Sequence, residues 1–142
     1  MRLLKCAFVL MLTMLYLPLA LAESPVGMWT TIDDKTGEKR AVIELIETGG
    51  ILNGTISKVY SQTGDMGICT KCPDNFKDKP IKGLQFLWGL KDRGDNVWDD
   101  GQILDARTGK IYRVKVTVKG DKLYVRGYIG VSLLGRTQVW IR

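Results

Sequence analysis

The chain predicts an all-β fold of about eight antiparallel strands arranged as a sandwich or a barrel, on three observations. Apolar and polar residues alternate along most of its length, and helical spacing is nearly absent. Turn residues rich in Gly and Asp recur at short intervals, as tight hairpins need for positive φ and local hydrogen bonds. No Pro-rich linker, low-complexity tract or second long apolar segment divides the chain, which reads as one domain.

The strands follow in order. The first, VGMWTTI (Val26 to Ile32), ends in the turn Asp33 to Gly37. Gly49-Gly50 joins KRAVIELIE (Lys39 to Glu47) to ILNGTISKVY (Ile51 to Tyr60). After a long connection, Ser61 to Lys82, comes GLQFLWGLK (Gly83 to Lys91). A second irregular stretch, DRGDNVWDDG (Asp92 to Gly101), reads as a loop before a short strand, GQIL. The turn Asp105 to Gly109 leads into KIYRVKVTVKG, the clearest strand of the chain. Tyr112, Val114, Val116 and Val118 fall on one face of it and Arg113, Lys115, Thr117 and Lys119 on the other, giving a buried side and a wet side. Past Gly120-Asp121, Leu123, Val125 and Gly127 share the apolar face of KLYVRGYI, with Tyr124 and Tyr128 on the polar one. RTQVWIR closes the series. An eight-stranded barrel is either filled by side chains or holds one small ligand.

The start of the chain indicates the compartment. Arg2 and Lys5 precede an apolar run that ends in Ala20-Leu21-Ala22, a small-x-small site before Glu23. This is the pattern of a secretory signal peptide. The run is short for a membrane anchor, which needs about 20 apolar residues. Residues 1–22 are therefore expected to be cleaved, taking Cys6 with them, and residues 23–142 to form one domain in the periplasm or outside the cell. The formal charge of +6 falls by two with Arg2 and Lys5. The remaining cations alternate with apolar residues as solvated strand faces do, which argues against a nucleic-acid partner.

Cys69 and Cys72 form a C-x-x-C. A thioredoxin-like redox pair sits near a βαβ unit, and none is present. A zinc site needs about four ligands, and the chain has no histidine. In an oxidising compartment the pair reads as a structural disulfide that staples the long connection. Gly27-x-Trp29 heads the first strand. In small lipid-binding barrels such a tryptophan lies across the closed end under an arginine from the last strand, a position open here to Arg136 or Arg142. The acidic stretch Asp92 to Gly101 does not match a calcium loop, because Gly94 stands at its third position. Without histidine, Ser-His and Cys-His nucleophile pairs are excluded, and no motif marks an enzyme, a metal site or a cofactor.

The strings GQILDARTGKIYRVKV and VRGYIGVSLLGRTQVW, with the G-x-W, the C-x-x-C and KDKPIKGLQFLWGL upstream, resemble the bacterial domain-of-unknown-function 2147 family. Ala106 departs from the pattern, where a proline is expected after Asp105. The resemblance implies an exported protein with a small, antiparallel up-and-down, lipocalin-like β-barrel of about eight strands. It brings no catalytic residues.

Two functions lead this reading, and behind them stands a third, an enzyme using carboxylate chemistry at Asp99 and Asp100 or thiol chemistry at Cys69 and Cys72. Of the leading two, one is a module that binds an apolar or amphipathic small ligand, with Phe86, Trp88, Tyr112, Val114, Val116, Leu123 and Val125 facing the lumen. The other is an envelope interaction or structural module with a filled barrel, contacting a protein partner through the Ser61 to Lys82 connection and through Tyr124 and Tyr128.

Overall fold

A computed structural model describes residues 18–19, 22–60 and 67–142. The expected leader falls mostly outside these residues, as does the segment 61–66. Eight strands are present: β1 (Gly27–Ile32), β2 (Lys39–Thr48), β3 (Ile51–Val59), β4 (Gln85–Asp92), β5 (Val97–Asp105), β6 (Lys110–Lys119), β7 (Lys122–Tyr128) and β8 (Arg136–Ile141). Each pairs antiparallel with the one before it, and β8 closes on β1 through Thr30↔Ile141 and Thr31↔Trp140. The result is a closed up-and-down barrel with no free sheet edge. No helix among the described residues is long and apolar enough to cross a membrane.

Connections of contrasting length mark the two ends. At one end, Gly49-Gly50 and Gly120-Asp121 make two-residue turns, and the termini of the barrel segment emerge beside them. The expected loop from Asp92 to Gly101 is mostly strand. Asp95 and Asn96 both take positive φ (53° and 61°), and Val97 N donates to the Gly94 carbonyl at 3.0 Å, so the chain reverses tightly and β5 starts at Val97. Trp98, buried within the acidic run, holds that start in the barrel, and the register shift between Trp98 and Gly101 absorbs Asp100 as a bulge. At the other end lie the connections β1–β2, β3–β4, β5–β6 and β7–β8.

The interior divides at mid-height. Toward the tight-turn end it is packed solid by Trp29, Leu45, Leu52, Leu87, Leu90, Trp98, Val114, Val116, Val118 and Leu123, all buried. Glycines report the same division. A Cβ at Gly54 would come within 2.9 Å of Leu45, and one at Gly101 within 2.5 Å of Leu90. At Gly127, in the other half, nothing approaches closer than 3.7 Å. The barrel is filled below and hollow above.

Candidate ligand site at the open end

The hollow half is a cavity of about 770 Å³ that opens among the longer connections. Inward-facing residues of β2, β3, β4, β5, β7 and β8 form its wall, among them Ile43, Ile56, Phe86, Ile103, Val125 and Trp140. Period-2 alternation accounts for this: Ala41, Ile43 and Leu45 of β2 point inward together, and the first two lie at cavity height. The Phe86 and Trp140 rings, from strands on opposite sides of the barrel, meet across its interior at 6.1 Å between centroids. Thr31 and Gln138 are polar points on the lining.

The rim is charged. Its turns Asp33-Asp34-Lys35-Thr36-Gly37 and Asp105-Ala106-Arg107-Thr108-Gly109 share one pattern and one geometry. In each, the first aspartate's carbonyl accepts the glycine N–H, at 2.8 Å and 2.7 Å, and its carboxylate accepts turn amides. Asp33 pairs with Arg40, Asp34 with Arg136, and Asp105 with Arg107. The Arg40 guanidinium, helped by the Thr36 and Lys35 amides, holds the Asp33 carboxyl well below the usual carboxylate range. The rim thus presents three acids and three arginines in pairs around an apolar hole.

The other end is sealed. Trp29 is fully buried, its Nε1 donating to the Pro25 carbonyl at 2.7 Å. The Arg142 guanidinium lies 4.4 Å from the centre of that ring and donates to the carbonyls of Ser24 and Gly120, both at 3.1 Å. Arg136 does not share this role. It opens β8 opposite Gly127 at the mouth, and six residues of strand, about 20 Å, separate it from Arg142. One buried polar side-chain atom among the described residues has no partner, Trp98 Nε1.

The expected lumen residues divide three ways. Phe86, Tyr112 and Val125 line the cavity. Val114, Val116 and Leu123 face inward but lie in the packed floor. Trp88 is turned outward, where Phe76 stacks on it at 5.5 Å and Gln102 accepts its Nε1–H at 3.1 Å. The cause is a bulge: Gly54 pairs with Leu87 and Thr55 with Gln85, which leaves Phe86 unpaired and flips the alternation behind it. Ile43, Ile56, Ile103 and Trp140 are lining residues that the same alternation in β2, β3, β5 and β8 could have supplied.

Of the two surfaces expected to meet a partner, the long connection buries its base and keeps an exposed outer face, with Lys77, Asp78 and Lys79 exposed and Phe76 half-buried. Cys69 and Cys72 are disulfide-bonded and buried. Their loop is closed on itself by Cys69 N to Lys79 O at 2.8 Å and Ile81 N to Gly67 O at 3.1 Å, and it rests on the β5–β6 turn. Tyr128 is buried rather than exposed, its hydroxyl donating to Asp99 at 3.2 Å. Burial and the Asp99 charge raise its pKa above the ordinary tyrosine value. Tyr124 is half-buried, with Lys119 Nζ 5.2 Å from its ring centre.

A closed eight-stranded antiparallel barrel, sealed at one end and open to a lumen at the other, is a lipocalin-like fold. Residues 27–142 match the model of a family described as "Uncharacterized protein conserved in bacteria (DUF2147)", and the chain belongs to that family. A solved structure described as "Protein HP1028 from the human pathogen Helicobacter pylori belongs to the lipocalin family" is similar in fold, with a TM-score of 0.72 and 20% sequence identity over 84% of this chain and 82% of that one. A comparison with curated proteins returns no match.

Proposed function

We propose that this protein binds an apolar or amphipathic small molecule in the open half of its barrel. The observation that carries this reading is the cavity of about 770 Å³, walled mainly by apolar side chains and opening through a ring of ion pairs. Burial at about 25 cal/mol per Å² of apolar surface supplies the binding energy. Paired charges at the rim favour a ligand whose polar end stays at the mouth while its apolar body enters. The buried disulfide supports an extracytoplasmic setting, in keeping with the leader expected at residues 1–22. A filled-barrel module would have no use for this void, which costs packing that side chains could have supplied.

Trp140 is the one tryptophan on the cavity lining, so it reports occupancy. Titration with dibrominated stearic acid should quench its fluorescence saturably. Trp140→Phe should remove most of the quenching. Quenching that is absent, or unchanged in the variant, refutes the reading.

A further inference from the structure

We propose that the β7–β8 connection docks the open end of the barrel onto an anionic phospholipid bilayer. The connection runs from Ile129 to Gly135 through a single 3₁₀ turn at Ser132–Leu134. Ile129, Val131, Leu133 and Leu134 are 68%, 57%, 87% and 80% exposed. Four large aliphatic side chains within six residues form a crest, each more exposed than any other large apolar residue of the barrel strands and their connections.

Three further observations select a bilayer as the occupant. First, Ile129 and Leu134 also line the cavity, so whatever covers the crest lies against the mouth. A bilayer is an apolar phase that can sit there and still leave an apolar path into the lumen. Second, the turn carries its own hydrogen bonds. Leu134 N donates to Val131 O and Gly135 N to Ser132 O, at 3.2 and 3.3 Å. Arg126, reaching from β7, donates to the carbonyls of Ser132 at 2.6 Å and Leu133 at 3.2 Å. Backbone that leaves water needs such internal partners. Third, the charge at this end fits an anionic surface. Lys35, Lys71, Lys77, Lys79, Lys82 and Lys110 are exposed on or beside its connections, against exposed Glu38, Asp74 and Asp78, while the rim aspartates face arginines. Apolar insertion combined with cationic attraction is how peripheral elements hold to membranes.

The test is co-sedimentation of the purified protein with vesicles of phosphatidylcholine alone or mixed equally with phosphatidylglycerol, with no lumen ligand added. The mixed vesicles should bind the protein at least about tenfold more strongly than phosphatidylcholine alone. Val131→Ser combined with Leu133→Ser touches no lumen-lining residue and should lower that binding by at least about tenfold. Its thermal midpoint and its quenching by dibrominated stearic acid should be unchanged. Leu133→Trp should gain a blue-shifted emission component with the mixed vesicles, which reads insertion without relying on the double variant. Absence of binding to the mixed vesicles, equal binding by the double variant, or an unshifted Leu133→Trp spectrum overturns the proposal. So does a wild-type dimer in sedimentation velocity that the double variant abolishes, since a second copy of the chain would then be the occupant.

Discussion

Replacing Gly127 tests the hollow half of the barrel directly. Gly127 sits in β7 between Val114 and Arg136, and its α-hydrogens face the cavity. A Cβ there would lie 3.7 Å from Tyr112 Cβ and 3.9 Å from Ile103 Cγ2, ordinary van der Waals contacts, and the backbone is not in the left-handed region. Gly127→Leu therefore places a whole side chain in open space. Removing a glycine from a strand contributes about 0.5–1 kcal/mol. Partial burial of the leucine adds about 1 kcal/mol more, less than the value for full burial because the cavity mouth is wet. At about 4 °C per kcal/mol for a domain of this size, calorimetry should show the midpoint rising by about 6–8 °C. The same side chain displaces about four methylene-sized positions of any bound chain. At about 0.8 kcal/mol each, dibrominated stearic acid should bind roughly two-hundredfold more weakly in the Trp140 quenching assay. A lowered midpoint would mean that the space is already filled. A raised midpoint with unchanged affinity would mean that the ligand binds elsewhere.

Three other changes test separate features. Asp33 has a depressed pKa in the fold, so it stabilises above the usual carboxylate value of about 4 and loses that contribution as pH falls through its folded value. Asp33→Asn should therefore be less stable than wild type at pH 7, with the gap in urea midpoints closing below about pH 4; a gap independent of pH would refute the Arg40 account. Trp98→Phe and Trp29→Phe both lose core packing, but the first also removes an unpartnered buried N–H while the second breaks the bond to Pro25, so Trp29→Phe should cost about 1–2 kcal/mol more in chemical denaturation. Equal losses would contradict the hydrogen-bond assignment. At Gly109, φ is +75° and a Cβ would fall 1.8 Å from the Lys71 carbonyl oxygen, so Gly109→Ala should cost at least about 2 kcal/mol and speed proteolysis of the disulfide loop. An unaffected loop would show that it does not rest on that turn.

Much of the barrel was legible because its strands obey a period of two over long, uninterrupted runs. β6 and β7 show this best: Tyr112, Val114, Val116, Val118, Leu123 and Val125 face inward as their alternation predicts. Where a bulge interrupts the period the prediction fails, as at Trp88, because pairing across β3 and β4 decides the face and local sequence does not record it. The split between floor and lumen was not legible either. Val114 and Val125 look alike in sequence, and alternation places both inside without showing that Val114 is packed in the core while Val125 lies on the cavity wall. Arg136 and Arg142 were interchangeable candidates for covering Trp29 until the direction of β8 put them at opposite ends. The buried Trp98 was hidden by its acidic neighbours, since a run of four aspartates reads as a solvated loop even when one strand face of it is core.

The seal at the closed end has a practical consequence for handling the molecule. Glu23 N donates to Asn96 Oδ1 at 2.9 Å, the Glu23 carboxylate accepts the Gly120 N–H at 2.9 Å, and Arg142 reaches Ser24, so both ends of the barrel segment are anchored within the same few residues of the floor. Either end can then carry a fusion, a dye or a surface tether without crossing the mouth. Molecules immobilised by either end would all present the cavity and its aliphatic crest outward, giving an oriented layer on which ligands and vesicles can be flowed over one uniform face.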